Sequence, residues 1–355
     1  MARRWVYPVI GHLSAWSTRC DAQAPRWLRT LAQDMAVRHD APANQLAFVT
    51  ADGKASACVN GWQDQPFVSP RVAQDTPMRL ASLSKIVSFM GMAAPQAAQP
   101  DGWLDTPLVQ VLGLSGPYAD ARVADIRVRQ LLNHSAGFDR LKSVDPMTKM
   151  DHRPWCPYDV AQLSKTRLDY APGARFAYHN LDFCLAAVAY EKHYGRSLWT
   201  ALEQGLHLES YGLDWLERRD TSVQYNFMHE NFYGPDFVQH LDWHAVRAPM
   251  GLTGSAAGLA RFIQDHRPLL TLAQGQRDDA VPCDARRKGS CYDGFLNRVE
   301  VDGQPLWLQG GYLYGMAALF ALDEAGNFIV WLGAGEGRPL SAAQERIQRA
   351  LLAAR

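Results

Sequence analysis

Lysine is scarce in this 355-residue chain: only 7 of the 36 basic side chains are lysines, so each invites an explanation. Net charge is lacking too. The 36 basic and 36 acidic side chains cancel, which removes any global electrostatic case for nucleic acid or an anionic membrane as the main partner. No stretch approaches the roughly 18 uncharged apolar residues of a membrane-spanning helix. The start, Arg3-Arg4 followed by Trp5–Ile10, has the basic opening of a signal peptide, but Pro8, Gly11 and His12 interrupt the short apolar run. Cleavage near Ala22–Ala24 is therefore the less favoured reading. There is no internal repeat and no low-complexity tract, which excludes solenoids and fibrous chains. None of the six cysteines, Cys20, Cys58, Cys156, Cys184, Cys283 and Cys291, belongs to a C-x-x-C motif.

What is present is globular. Hydrophobic residues at 47% and charged residues at 20% can build a large core without staples. The length suggests two structural units or one composite domain. An amphipathic helix is expected over residues 25–39, with Trp27, Leu28, Leu31, Ala32 and Met35 on one face. A hairpin follows, Gln45–Thr50 and Ala55–Val59 around Asp52-Gly53. From about 86 to 290 the chain is mixed and mostly helical. Strands return at Phe295–Val301, Leu306–Leu308, Met316–Leu322 and Phe328–Leu332, and a last helix covers Ser341–Ala354 with Ser341 as N-cap. The two chain ends thus predict one antiparallel α/β unit, residues 26–85 with 291–355. Residues 86–290 form a mainly helical insertion and 1–25 an N-terminal extension.

Cys283 and Cys291 bracket a basic loop. They either close a disulfide, which implies an oxidising compartment, or remain structural thiols. Cys184, in the apolar run Leu181–Tyr190, reads as a small buried hydrophobe.

Three short motifs carry chemistry. Ser82-Leu83-Ser84-Lys85 spaces a serine and a lysine three apart, which on a helix brings them within hydrogen-bond reach. A lysine stripped of water can lose its proton near neutrality and take the serine proton. Tyr178-His179-Asn180 follows the turn former Pro172-Gly173. A phenol beside a lysinium is expected to have its pKa lowered, which fits a proton shuttle, while Asn180 could hold a substrate amide and orient Lys85. His179 reads as a satisfied core residue. Gln309-Gly310-Gly311-Tyr312 follows an expected strand, where glycines permit close approach to the backbone.

In this order and spacing the motifs resemble those of the serine β-lactamase-like superfamily, which includes class C β-lactamases, penicillin-binding proteins and family VIII carboxylesterases. Val128–Gly137, Tyr170–Ser197 and Gly251–Phe262 resemble further segments of the same family, so the likeness spans about residues 26–355. It implies an α+β fold, an antiparallel sheet flanked by helices with an inserted helical lobe. It also implies a serine hydrolase acting through an acyl-enzyme on Ser82, with Lys85 and Tyr178 as catalytic partners. The backbone N–H groups of Ser82 and Tyr312 become the oxyanion hole, and Asn180, Gln309, Gly310 and Gly311 substrate-binding positions. His134 in the first segment reads as structural. No cofactor or metal is called for. The partner is a small acyl compound (ester, amide or β-lactam), in a periplasmic or secreted setting by analogy, or a cytoplasmic one if the N-terminus is not a signal.

Two departures matter. Gln309 stands where β-lactamases and D-Ala-D-Ala peptidases carry a lysine for a substrate carboxylate, and an amide supplies no charge. That favours an esterase or amidase acting on neutral acyl compounds over a β-lactamase or D-Ala-D-Ala carboxypeptidase, unless Arg261, Arg286 or Arg287 replaces the charge; a D-aminopeptidase stays among the alternatives. Gly258 stands where the family often has aspartate. Two other classes compete: a zinc hydrolase using His240 and His244 with His229 and Glu230, and a non-catalytic sensor on the same scaffold. The aromatic stretch Tyr225–Gly234 could line an acyl pocket.

Overall fold

A computed structural model describes residues 2–39, 41–149, 153–217, 240–273, 280–313, 315–335 and 340–354. Eleven strands are named in chain order: β1 (Arg19–Cys20), β2 (Ala43–Val49), β3 (Ala55–Asn60), β4 (Met78–Arg79), β5 (Asp214–Trp215), β6 (Leu252–Gly254), β7 (Tyr292–Asp293), β8 (Leu296–Val301), β9 (Gln304–Leu313), β10 (Met316–Asp323) and β11 (Phe328–Ala334). Eight of them form one antiparallel sheet in the order β1-β3-β2-β11-β10-β9-β8-β7, and β4-β6-β5 form a small second sheet. The large sheet therefore joins residues 19–60 to residues 292–334. Strand β2 pairs with β11 from Val49 opposite Phe328 to Ala43 opposite Ala334.

The apolar runs of β10 and β11 are buried throughout because both sheet faces are covered. Met316, Ala318, Phe320 and Leu322 enter the larger core beneath the helical part of the chain. Ala317, Leu319 and Ala321 enter a second core under the helices Arg26–Arg38 and Leu340–Leu352, against Leu28, Leu31, Met35, Ile347 and Leu351. This is the side-chain alternation of a pleated strand serving two layers. The helix Ala2–Trp16 packs on Arg26–Arg38 and runs through Pro8. A side chain at Gly11 would lie 2.5 Å from the Ala36 carbonyl, so the residue is needed for that approach. Residues 2–20 thus add a helix and an edge strand to this layer.

Several local expectations are altered. Strand β9 does not stop at Leu308. Its ladder with β10 continues through Gly310 opposite Leu319 and Gly311 opposite Ala318, and neighbour pairing outweighs the weak strand preference of glycine. The turn Asp302-Gly303 has φ values of +51° and +77°, the left-handed pair that an Asp-Gly hairpin turn requires. The last helix begins at Leu340, so Ser341 lies inside its first turn rather than capping it. Gly258 meets a steric demand: a β-carbon there would sit 2.3 Å from the Tyr211 carbonyl.

All six cysteines are paired, as Cys20–Cys58, Cys156–Cys184 and Cys283–Cys291. Cys184 is buried as expected, but its partner Cys156 lies in a distant loop that hydrophobic patterning could not bring to it.

Candidate active site

Ser82 occupies the single turn Ala81–Leu83, which runs directly into the helix Ser84–Ala98. Ala81 just before it has φ +48°, an uncommon conformation for alanine, and the turn's neighbours hold it there. The helix is tied down by its other serines. Ser84 Oγ bonds the Ala81 carbonyl at 2.7 Å and accepts from the Leu252 N–H, and Ser88 Oγ bonds the Ala248 carbonyl at 2.9 Å. The segment 248–252 is therefore a brace for the serine-lysine turn.

Lys85 is fully buried. Its Nζ donates to Asn180 Oδ1 at 2.9 Å and to the Pro249 carbonyl at 3.0 Å, lies 3.3 Å from Ser82 Oγ, and also bonds Tyr178 OH. Tyr178 OH stands 2.8 Å from Ser82 Oγ. Serine, lysine, tyrosine and asparagine thus form one closed network across 98 residues of sequence. Asn180 opens the helix Asn180–Tyr194 and is clamped by Asp145, whose Oδ2 accepts from the Asn180 backbone N–H at 3.0 Å and from Nδ2 at 2.8 Å. One amide hydrogen expected to serve a substrate is thereby committed inside the protein, while the expected hold on Lys85 is present.

Burial sets the electrostatics. Desolvation pushes Lys85 well below the ordinary lysine value, aided by Arg140 and opposed by Asp145 and Asp182. Desolvation also pushes Tyr178 up to about 12, despite the opposing pull of Arg140. The expected lowering of the phenol therefore gives way to its reverse, because burial disfavours the phenolate just as it disfavours the ammonium. A neutral amine beside a neutral phenol can accept the serine proton and relay it.

Behind the network, His134 is buried and its Nδ1 lies 2.7 Å from Asp182 Oδ2, with its ring 4.6 Å from that of Tyr178. Burial lowers the histidine and raises the carboxyl, so the pair favours its uncharged forms. His179 caps the helix Asn180–Tyr194, its Nδ1 accepting from the Leu181 N–H at 3.3 Å.

These groups open onto a cleft of about 530 Å³. Strand β8 pairs with β9 only up to Leu308, so the outer edge of Gln309–Leu313 forms one wall. Gln309 Nε2 donates to the Gly310 carbonyl along that edge at 2.9 Å. A β-carbon on Gly311 would come within 3.1 Å of the Leu80 carbonyl, Leu83 and Ala318, so its bareness lets the serine turn sit against the strand. Ser82, Tyr178, Asn180, Gln309, Gly310, Gly311 and Tyr312 all line the cleft, with Lys85 buried behind them.

Of the arginines considered as substitutes for a strand lysine, Arg261, Arg286 and Arg287 are exposed and line no part of this cleft. Arg140 and Lys288 line it instead. Sequence reasoning missed both, together with Asp145. Arg140 lies three residues past the family-like segment ending at Gly137, and Lys288 lies inside the Cys283–Cys291 loop; both were signals at hand. His244 stacks on Tyr158 at 5.7 Å, and among the described residues no group of three or more His, Cys, Asp or Glu side chains is placed to hold a metal. His229, Glu230 and the stretch Tyr225–Gly234 lie outside the described residues. Among the described residues no helix is long and apolar enough to cross a membrane.

Two proteins of Dichelobacter nodosus are 33% identical to this chain. The putative fimbrial assembly protein FimD of serogroup D matches over 94% of the chain and 85% of its own length, and the probable FimD of serogroup H1 over 92% and 83%. The fold is shared with D-amino acid amidase from Ochrobactrum anthropi SV3, at 17% identity and a TM-score of 0.70 over 93% of this chain and 99% of that one. It is also shared with a penicillin-binding protein homologue from Pyrococcus abyssi, at 18% identity and a TM-score of 0.66 over 92% and 77%. The family model described as Beta-lactamase matches residues 46–354, the span that holds the whole Ser82–Lys85–Tyr178 network. The chain belongs to the beta-lactamase family and is a serine hydrolase.

Proposed function

We propose that the protein hydrolyses a small acyl ester or amide through an acyl-enzyme on Ser82. The observation that carries this reading is the position of Ser82 Oγ, 2.8 Å from Tyr178 OH and 3.3 Å from the Nζ of a fully buried lysine. Neutral Lys85 takes the Ser82 proton, directly or through the Tyr178 hydroxyl. Oγ attacks the acyl carbonyl, and the resulting oxyanion is met by the N–H groups of Ser82 and Tyr312. The carbonyl re-forms as the bond to the leaving group breaks, and Tyr178 passes its proton to the departing atom. Water then attacks the acyl-enzyme and gives its proton to the Lys85–Tyr178 pair, which returns it to Ser82 Oγ as the ester bond breaks and the acid is freed.

Gln309 sets this strand apart from that of β-lactamases and D-Ala-D-Ala carboxypeptidases, which carry a lysine there, so the acyl class is left to the substrate panel. The test is intact-mass analysis after exposure to a fluorophosphonate. One adduct is expected on the native protein and none on Ser82→Ala; an equal adduct on both sinks the proposal. A panel of p-nitrophenyl esters, a chromogenic cephalosporin and D-amino-acid amides then ranks the acyl classes.

A further inference from the structure

The cleft carries positive charge and, among the described residues lining it, no carboxylate. Its two cations are Arg140 and Lys288. The Arg140 guanidinium lies 4.5 Å from the centre of the Tyr178 ring, beside the reacting groups, and has no hydrogen-bond or ion-pair partner among the described residues. Lys288 is held by a device with several parts. Its loop is closed by Cys283–Cys291 and pinned by the Gly289 N–H on Asn297 Oδ1 at 3.0 Å. Its ammonium donates to Gln344 Oε1, and Gln344 is buried in the helix Leu340–Leu352. The Nε2 of the same side chain fills the space beside Gly310, 2.9 Å from where a β-carbon would stand. Gly310 therefore admits Gln344, and Gln344 carries a cation to the strand edge where Gln309 supplies none. Lys288 is exposed, so its ammonium stays accessible to a ligand in the cleft.

We propose that Lys288, positioned by Gln344, and Arg140 are the specificity-determining residues of this cleft and select acyl substrates that carry a carboxylate. The inference rests on the acyl-enzyme reading above. A substrate with a free ammonium, such as an unblocked amino acid amide, would meet two like charges there and no acidic partner among the described residues.

The test compares two p-nitrophenyl esters of equal chain length, the neutral butyrate and the anionic hemisuccinate, on the full-length protein. The native enzyme is expected to prefer the hemisuccinate in kcat/KM, and the preference to shrink as salt rises to roughly 0.5 M. Lys288→Gln and Arg140→Gln should each reduce the ratio of the two kcat/KM values about fivefold, mainly through KM, as befits a partly exposed charge pair. Lys288→Arg should keep the ratio, which a purely structural role would not predict. Gln344→Leu should lower the ratio in the native background and add little to Lys288→Gln. A native preference for the butyrate, or a ratio that neither Gln variant moves, overturns the proposal. If neither ester turns over, Ser82 labelling by a neutral fluorophosphonate decides: protection by monomethyl succinate but not by dimethyl succinate supports it, and equal protection or none sinks it. Absence of labelling would instead count against the acyl-enzyme itself.

Discussion

At the scale of single residues, the network divides its labour through burial. On the proposed mechanism Lys85 acts unprotonated, and its pKa lies well below the ordinary value, so acylation should rise with pH through that lowered pKa and then stay level. No alkaline fall is expected from Tyr178 until it ionises near about 12. Lys85→Arg removes the option of losing a proton, and acylation should drop by roughly 10²–10⁴-fold, the worth of general acid-base catalysis. Stopped-flow acylation across pH measures both effects, and a residual acid limb of unchanged position in the arginine variant would assign the limb elsewhere. Asp145 acts one step back. Its carboxylate receives the Asn180 backbone and side-chain amides and the Met147 N–H, so Asp145→Ala should cost about 1–3 kcal/mol in a denaturant titration and slow acylation as Asn180 loses its clamp.

At the scale of elements, what can be read from a sequence depends on how far apart the interacting residues lie. Serine and lysine three residues apart declare themselves, because helical geometry is local. The strands β10 and β11 are equally legible, since runs such as Ala317–Leu322 and Phe328–Leu332 have no way to avoid burial. The length of β9 was not legible, because only its pairing with β10 holds Gly310 and Gly311 extended. Nor was the direction of the Tyr178 shift, which depends on how much water the folded site excludes. Asp145, Arg140 and the Cys156–Cys184 bridge are joined to their partners by folding alone. Gly311 gives this scale its test. Gly311→Ala puts a methyl within 3.1 Å of Leu80 and Leu83, and overpacking of this kind costs roughly 1–3 kcal/mol. Because the strain falls on the turn bearing Ser82, fluorophosphonate labelling should slow by more than the loss of folded protein explains. Equal losses in both measurements would make Gly311 a packing residue only.

At the scale of the whole molecule, three disulfides fasten three different places: the edge strand β1 to β3, the helix Asn180–Tyr194 to a preceding loop, and the loop that carries Lys288. Closure of the 38-residue span between Cys20 and Cys58 is worth about 2–4 kcal/mol on chain-entropy grounds. Purified protein should show no free thiol until reduced, and reduction should lower its melting temperature; six alkylatable thiols before reduction would refute the pairing.

The sheet also imposes an order in time. A ribosome delivers Ser82, Lys85 and Tyr178 long before it delivers the strand edge Gln309–Leu313, and the central partner of β2 is β11, among the last strands made. A growing chain therefore holds Ser82 before the strand edge that walls its cleft exists. The topology thus orders assembly: the wall of the cleft can form only after β9 has been made and paired with β10.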